Sequence, residues 1–130
     1  AYFNLGAVLN YSAHDVEAAQ RFLEAKERYP VGSEDWARAT AAAFDLLMLK
    51  ECAEVAKPEW WNDEGLKALS ARVVRATPNQ QIANCMRAHV LSGLLADAWE
   101  VGTRSAAELK EAAAHFDRSA VLCYAPVQKA

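Results

Sequence analysis

Cys85 and His89 stand four residues apart, a spacing that puts a thiol and an imidazole on one face of a helix. Such a pair is half of a zinc site, and completing it takes further ligands, for which His115 and Cys123 are of the right type. Both residues also fall on an apolar stripe through Ile82, Met86, Val90 and Leu94, which assigns them to packing rather than ligation. The three cysteines, Cys52, Cys85 and Cys123, are separated by 33 and 38 residues and form no CxxC pair. They read as reduced, buried side chains of an intracellular protein. The chain has no GxSxG, no glycine-rich phosphate loop and no HExxH. No catalytic residue, metal or cofactor is therefore assigned, and a non-enzymatic role is expected.

The other unusual local feature is Trp60-Trp61, set in the Pro-containing, acidic segment from Lys57 to Asp63. Tryptophan is enriched at interface hot spots, and it also pins inserted loops onto a domain body. Both uses are open here: internal packing, or a contact offered by the loop. Trp36 and Trp99 follow helical periodicity and are read as core.

These residues must be positioned by helices. The 130-residue chain is 53% hydrophobic, much of it alanine, with five Gly and four Pro, the composition of a mostly helical domain with a sizeable core. A formal net charge of -3, with no basic run, argues against a nucleic-acid partner. No segment approaches the ~20 apolar residues that span a bilayer, so no membrane association is expected. The chain lacks an initiating Met and starts inside an apolar pattern, which suggests a piece of a longer or processed protein with no targeting signal of its own. An intracellular, cytoplasmic location is expected.

Residues 1–30 carry an ordered set of landmarks: Tyr2, Leu5, Gly6, Leu9, Ala18, Phe22, Ala25 and Pro30. In type and spacing this set resembles the tetratricopeptide repeat, with Leu9 in place of the usual Tyr. Small residues sit where two helices of a hairpin approach, large ones fill the space between, and Pro30 stops the second helix. The resemblance implies an all-α fold of three antiparallel helical hairpins, six helices in a right-handed superhelix. The single domain 1–130 divides into repeat units of about 1–32, 33–78 and 79–126. Three units are about the minimum for a stable array of this kind.

Helices are expected at 1–12 and 15–29, with Ser12 or Asp15 capping the second. Ser33 caps a third, whose apolar period runs to about Ala56. Asn62 or Asp63 caps a fourth, ending at Ala76. Thr77-Pro78 opens a fifth that follows its stripe to Val101, and Ser105 with Glu108 forms a capping box for the sixth. Helices 33–56 and 79–101 are overlong for the repeat, and the second unit carries an insertion of about 14 residues. Glu111 to Phe116 echoes Glu17 to Phe22, and Ser119 stands where Ala25 does.

In tetratricopeptide arrays the first helices of successive hairpins line a groove that holds a peptide or a helix. On that resemblance the groove positions here are Phe3, Ala7, Asn10 and Tyr11; then Glu34, Ala37, Arg38, Ala41 and Asp45; then Asn84 and Arg87. Asn10, Tyr11, Arg38, Asp45, Asn84 and Arg87 are the polar or aromatic contacts, with Arg38 and Arg87 as anchors. Members that bind chaperone tails place Lys and Asn where this chain has Phe3 and Ala7, so that carboxylate clamp is missing. The expected function is a non-catalytic scaffold for a protein or peptide partner. The alternatives are self-association through the two overlong helices, and a ligand- or metal-binding bundle using Cys85, His89 and His115.

Overall fold

Helix is the only regular structure among the residues described by the computed structural model, 14–94 and 98–124. Among these residues five α-helices follow one another: α1 (Asp15–Arg28), α2 (Glu34–Leu47), α3 (Asp63–Ala76), α4 (Gln81–Ser92) and α5 (Ala106–Tyr124), with a 3-10 turn at Lys50–Cys52. The all-α class is thus observed, while the expected helix over 1–12 lies outside the described residues.

Several helix ends are written locally. The Trp36 N–H donates to Ser33 Oγ (3.2 Å), and Glu34 and Asp35 in the first turn complement the helix dipole of α2. The Gly65 N–H donates to Asn62 Oδ1 (2.8 Å), starting α3. The Ser105–Glu108 box opens α5 reciprocally: Glu108 N–H to Ser105 Oγ at 3.0 Å, Ser105 N–H to Glu108 Oε1 at 2.9 Å. Elsewhere the caps differ from expectation. The position before α1 is His14, which makes no side-chain cap, and Asp15 is already helical. Thr77 closes α3 by donating to the Val73 carbonyl (3.0 Å), and α4 begins only after Gln80.

The two overlong helices are not formed. α2 ends at Leu47 because the chain tightens into the 3-10 turn, and Lys57 Nζ then donates to the carbonyls of Cys52 (2.7 Å) and Val55 (3.0 Å). α4 ends at Ser92, with Gly93 in the left-handed conformation at φ 69°. Arg104 supplies the terminating contacts, donating from Nη2 to Val90 O (2.8 Å) and from Nε to Leu91 O (3.0 Å). A β-carbon on Gly93 would lie 2.9 Å from Val101 Cγ1. Gly93→Ala therefore combines a left-handed alanine with a close contact. It is expected to cost about 1–2 kcal/mol and lower the melting temperature by about 5 °C. A thermal melt unchanged from wild type would refute this account of the turn.

α2 is the hub, packing against α1, α3 and α4, while α4 packs against α2, α3 and α5. Trp36, Ala37, Ala41 and Phe44 join Leu66, Leu69, Val73, Met86, Val90 and Trp99 in one core cluster. Ala43, Leu46 and Leu47 join Ala18, Ala19, Phe22 and Cys52 in a second. Ala37 and Ala41, expected on a groove face, are fully buried. The cysteines divide as well: Cys52 is buried, Cys85 half-buried and Cys123 exposed.

Candidate functional site

The segment 57–63 folds back as an aromatic clasp. Trp60 and Trp61 are both half-buried and touch both core clusters. Trp61 donates from Nε1 to the Ala98 carbonyl (2.9 Å), and its ring lies 5.4 Å from Phe44 and 5.9 Å from Trp99. Lys26 Nζ sits 5.5 Å from the Trp60 ring and 5.7 Å from that of Trp36, an amphipathic side chain buried along aromatic surface. Desolvation there pushes the Lys26 ammonium below its usual pKa.

The residues expected to line a groove separate into two groups. Arg38 and Asp45 are exposed on α2, with Arg38 4.0 Å from Asp35. Asn84 and Arg87 turn inward instead. Asn84 is 1% exposed; its Nδ2 donates to the carbonyls of Pro78 (3.0 Å) and Gln80 (2.8 Å). Its Oδ1 is then left for His115 Nδ1 at 2.9 Å, which assigns that ring proton. Arg87 donates to Lys67 O (2.7 Å), Ser70 Oγ (3.0 Å) and Glu111 Oε2 (3.1 Å), tying α3, α4 and α5 together. Burial works to raise the Glu111 carboxyl, yet Arg87 and His115 hold it below its ordinary range. Asn10 and Tyr11 lie outside the described residues.

Cys85 Sγ is 3.9 Å from His89 Nε2, and the His89 ring packs edge-on against Phe116 at 5.2 Å. Burial pushes the Cys85 thiol up, and the Asp45 carboxylate adds to the effect. Burial also pushes the His89 imidazole down, with Asp45 opposing. A thiol held protonated is a poor nucleophile and a poor ligand. His115 is engaged with Asn84 and Glu111 rather than joining this pair. Among the described residues no group of three His, Cys, Asp or Glu side chains is placed to hold a metal ion.

What the fold does bring together is an open cavity of about 290 Å³, lined by Glu34, Arg38, Ala76, Thr77, Pro78, Asn79 and Gln80. It lies where the first turn of α2 meets the α3–α4 connection. Arg118 reaches across from α5 to Asn79 Oδ1 and braces that connection. Gln80 Oε1 is buried with no hydrogen-bond partner among the described residues. Sequence reasoning found Glu34 and Arg38 but missed Thr77 to Gln80. The Thr77-Pro78-Asn79 turn between two helical stretches was the available signal.

No helix among the described residues is long and apolar enough to cross a membrane. Compared with protein-family models, with curated proteins and with solved structures, the chain finds no match in any of the three.

Proposed function

We propose that this chain is a tetratricopeptide-like binding module that holds an extended segment of a partner protein against α2 and the α3–α4 connection. The observation that carries the reading is the open cavity beneath Arg38. Small-ligand sites are typically enclosed and mainly apolar, whereas this rim is shallow and mixed. An acceptor on Glu34 stands with a donor on Arg38, a set that suits the alternating N–H and C=O groups of extended peptide. The neighbour pattern, α2 on α1 and α4 on both α2 and α3, is the one expected of stacked hairpins.

Selection of peptides on the purified chain, followed by titration of the best binder, tests this. Arg38→Glu is expected to weaken binding about tenfold or more while leaving the fold intact, since Arg38 is exposed. Equal affinity of wild type and variant would end the reading. Arg87 is unsuitable for this purpose, because its removal would disturb three helices.

A further inference from the structure

α5 is the longest helix and packs on α4 through one side, where Ala112 and Ser119 are buried and His115 is half-buried. Beside that contact runs a second line: Ala106, Leu109, Ala113, Phe116, Ala120 and Cys123. The steps alternate three and four residues, the heptad spacing of a helix–helix seam. Every member is exposed except Phe116, which is half-buried, and Leu109 is 48% exposed. No charge interrupts the line. Lys110 and Asp117, seven residues apart, are exposed along the edge away from α4, and neither makes an ion pair among the described residues.

We propose that this line is the seam of an antiparallel pair formed by α5 with α5 of a second copy of the chain. Two properties of the line select that occupant. Small and large residues alternate from Ala106 to Ala120, so antiparallel layers set Ala113 against Phe116 and Leu109 against Ala120, with the small pair Ala106 and Cys123 at each end. Each bulky side chain then meets a small one, as close packing requires. In the same register Lys110 of each copy faces Asp117 of the other, twice about the two-fold axis. A parallel pair would instead set Lys110 and Asp117 beside the uncharged Ala112 and Ser119 edge of the other copy, leaving both charges without a partner across the seam. The surface is therefore complementary to itself in one orientation. A single seam of this length falls at the small end of protein interfaces, below about 1,200 Å², so pairing depends on concentration. The pairing is independent of the groove reading, and Arg38→Glu should leave it unchanged.

Sedimentation equilibrium of the full chain over a concentration series tests the seam. The mass should rise from 14.3 kDa toward twice that value. Leu109→Lys and Ala113→Glu, both at exposed positions, should each abolish the rise while circular dichroism stays unchanged. Lys110→Asp should weaken association about tenfold, and Lys110→Asp/Asp117→Lys should restore it to within about twofold. A monomer at every concentration would overturn the proposal. So would a dimer indifferent to both seam variants, or a charge swap that restores nothing.

Discussion

Asp63→Ala should lower the melting temperature by about 10 °C or more, a loss of about 3 kcal/mol at neutral pH. Asp63 opens α3 and ties that helix to the segment after α4. Its Oδ1 accepts from Arg104 Nη2 (2.6 Å) and Trp99 Nε1 (2.9 Å); its Oδ2 accepts from Arg104 Nη1 (2.8 Å) and the Gly102 N–H (3.1 Å). The Arg104 side chain is only 6% exposed and spends its other donors on Val90, Leu91 and Gly102 carbonyls. Removing the carboxylate strands a nearly buried cation at the C-terminus of α4, which costs far more than losing an exposed pair. Chemical denaturation of wild type and variant measures the difference, and a loss below about 1 kcal/mol would refute the network's role.

The same contacts give a pH dependence. Arg104, together with Trp99 and Gly102, holds the Asp63 carboxyl well below the usual carboxylate range, against the opposing effect of burial. A depressed native pKa means that the unfolded chain takes up the proton first as pH falls. The contribution is thus complete above about pH 4, the ordinary aspartate value, and is lost progressively below it. Glu108, pulled down to about 2 by Lys67 and then Ser105, adds acid sensitivity of its own. Comparing wild type with Asp63→Asn isolates the Asp63 share: the two stability curves should converge as the pH drops. Parallel curves from pH 7 to pH 3 would contradict the assignment.

Phe44→Ala should cost about 3–5 kcal/mol. Phe44 is 1% exposed and stands where α2 meets both the Trp60–Trp61 clasp and Trp99, with ring centroids 5.4 Å from Trp61 and 6.0 Å from Trp99. Truncation leaves a ring-sized void bounded by side chains of three separate segments, which cannot all move inward together. Trp61→Ala should be strongly coupled to it, because the two remove the same contact; the double variant should lose less than the sum. Near-ultraviolet circular dichroism of Phe44→Ala should report loosened Trp61 and Trp99. An additive double variant would show that the clasp and the core are energetically separate.

Much of the helical frame was legible because it is written locally. Ser33, Asn62 and the Ser105–Glu108 box announce three helix starts through side chains within three residues of the N–H groups they cap. Trp36 follows helical periodicity into the core, at 1% exposure; Trp99 is core as expected, at 6%, but it lies past the end of α4 and is held by Phe44, Trp61 and Asp63 rather than by a helical position. The ends of α2 and α4 were misjudged for the opposite reason. Apolar periodicity persists past Leu47 and Ser92, but Lys57 and Arg104 compete for carbonyls at or beyond the helix ends. For α4 that competitor stands 13 residues downstream. The self-association route through two long helices loses its basis with them.

The proposed binding surface divides in the same way. Residue types and spacing alone determined that this is a helical chain without a recognisable catalytic motif, and the tetratricopeptide resemblance put Arg38 among the expected groove anchors. Tertiary structure decided that Arg87 and Asn84, at equally groove-like positions, are consumed in holding α3, α4 and α5 together. It also decided that Thr77 to Gln80 come up beside Arg38 to frame a cavity. The physical reason is that a helix repeats its faces every few residues, so sequence can say which residues share a face. Which face meets a neighbour depends on where that neighbour packs, and that is settled by contacts between residues far apart in the chain.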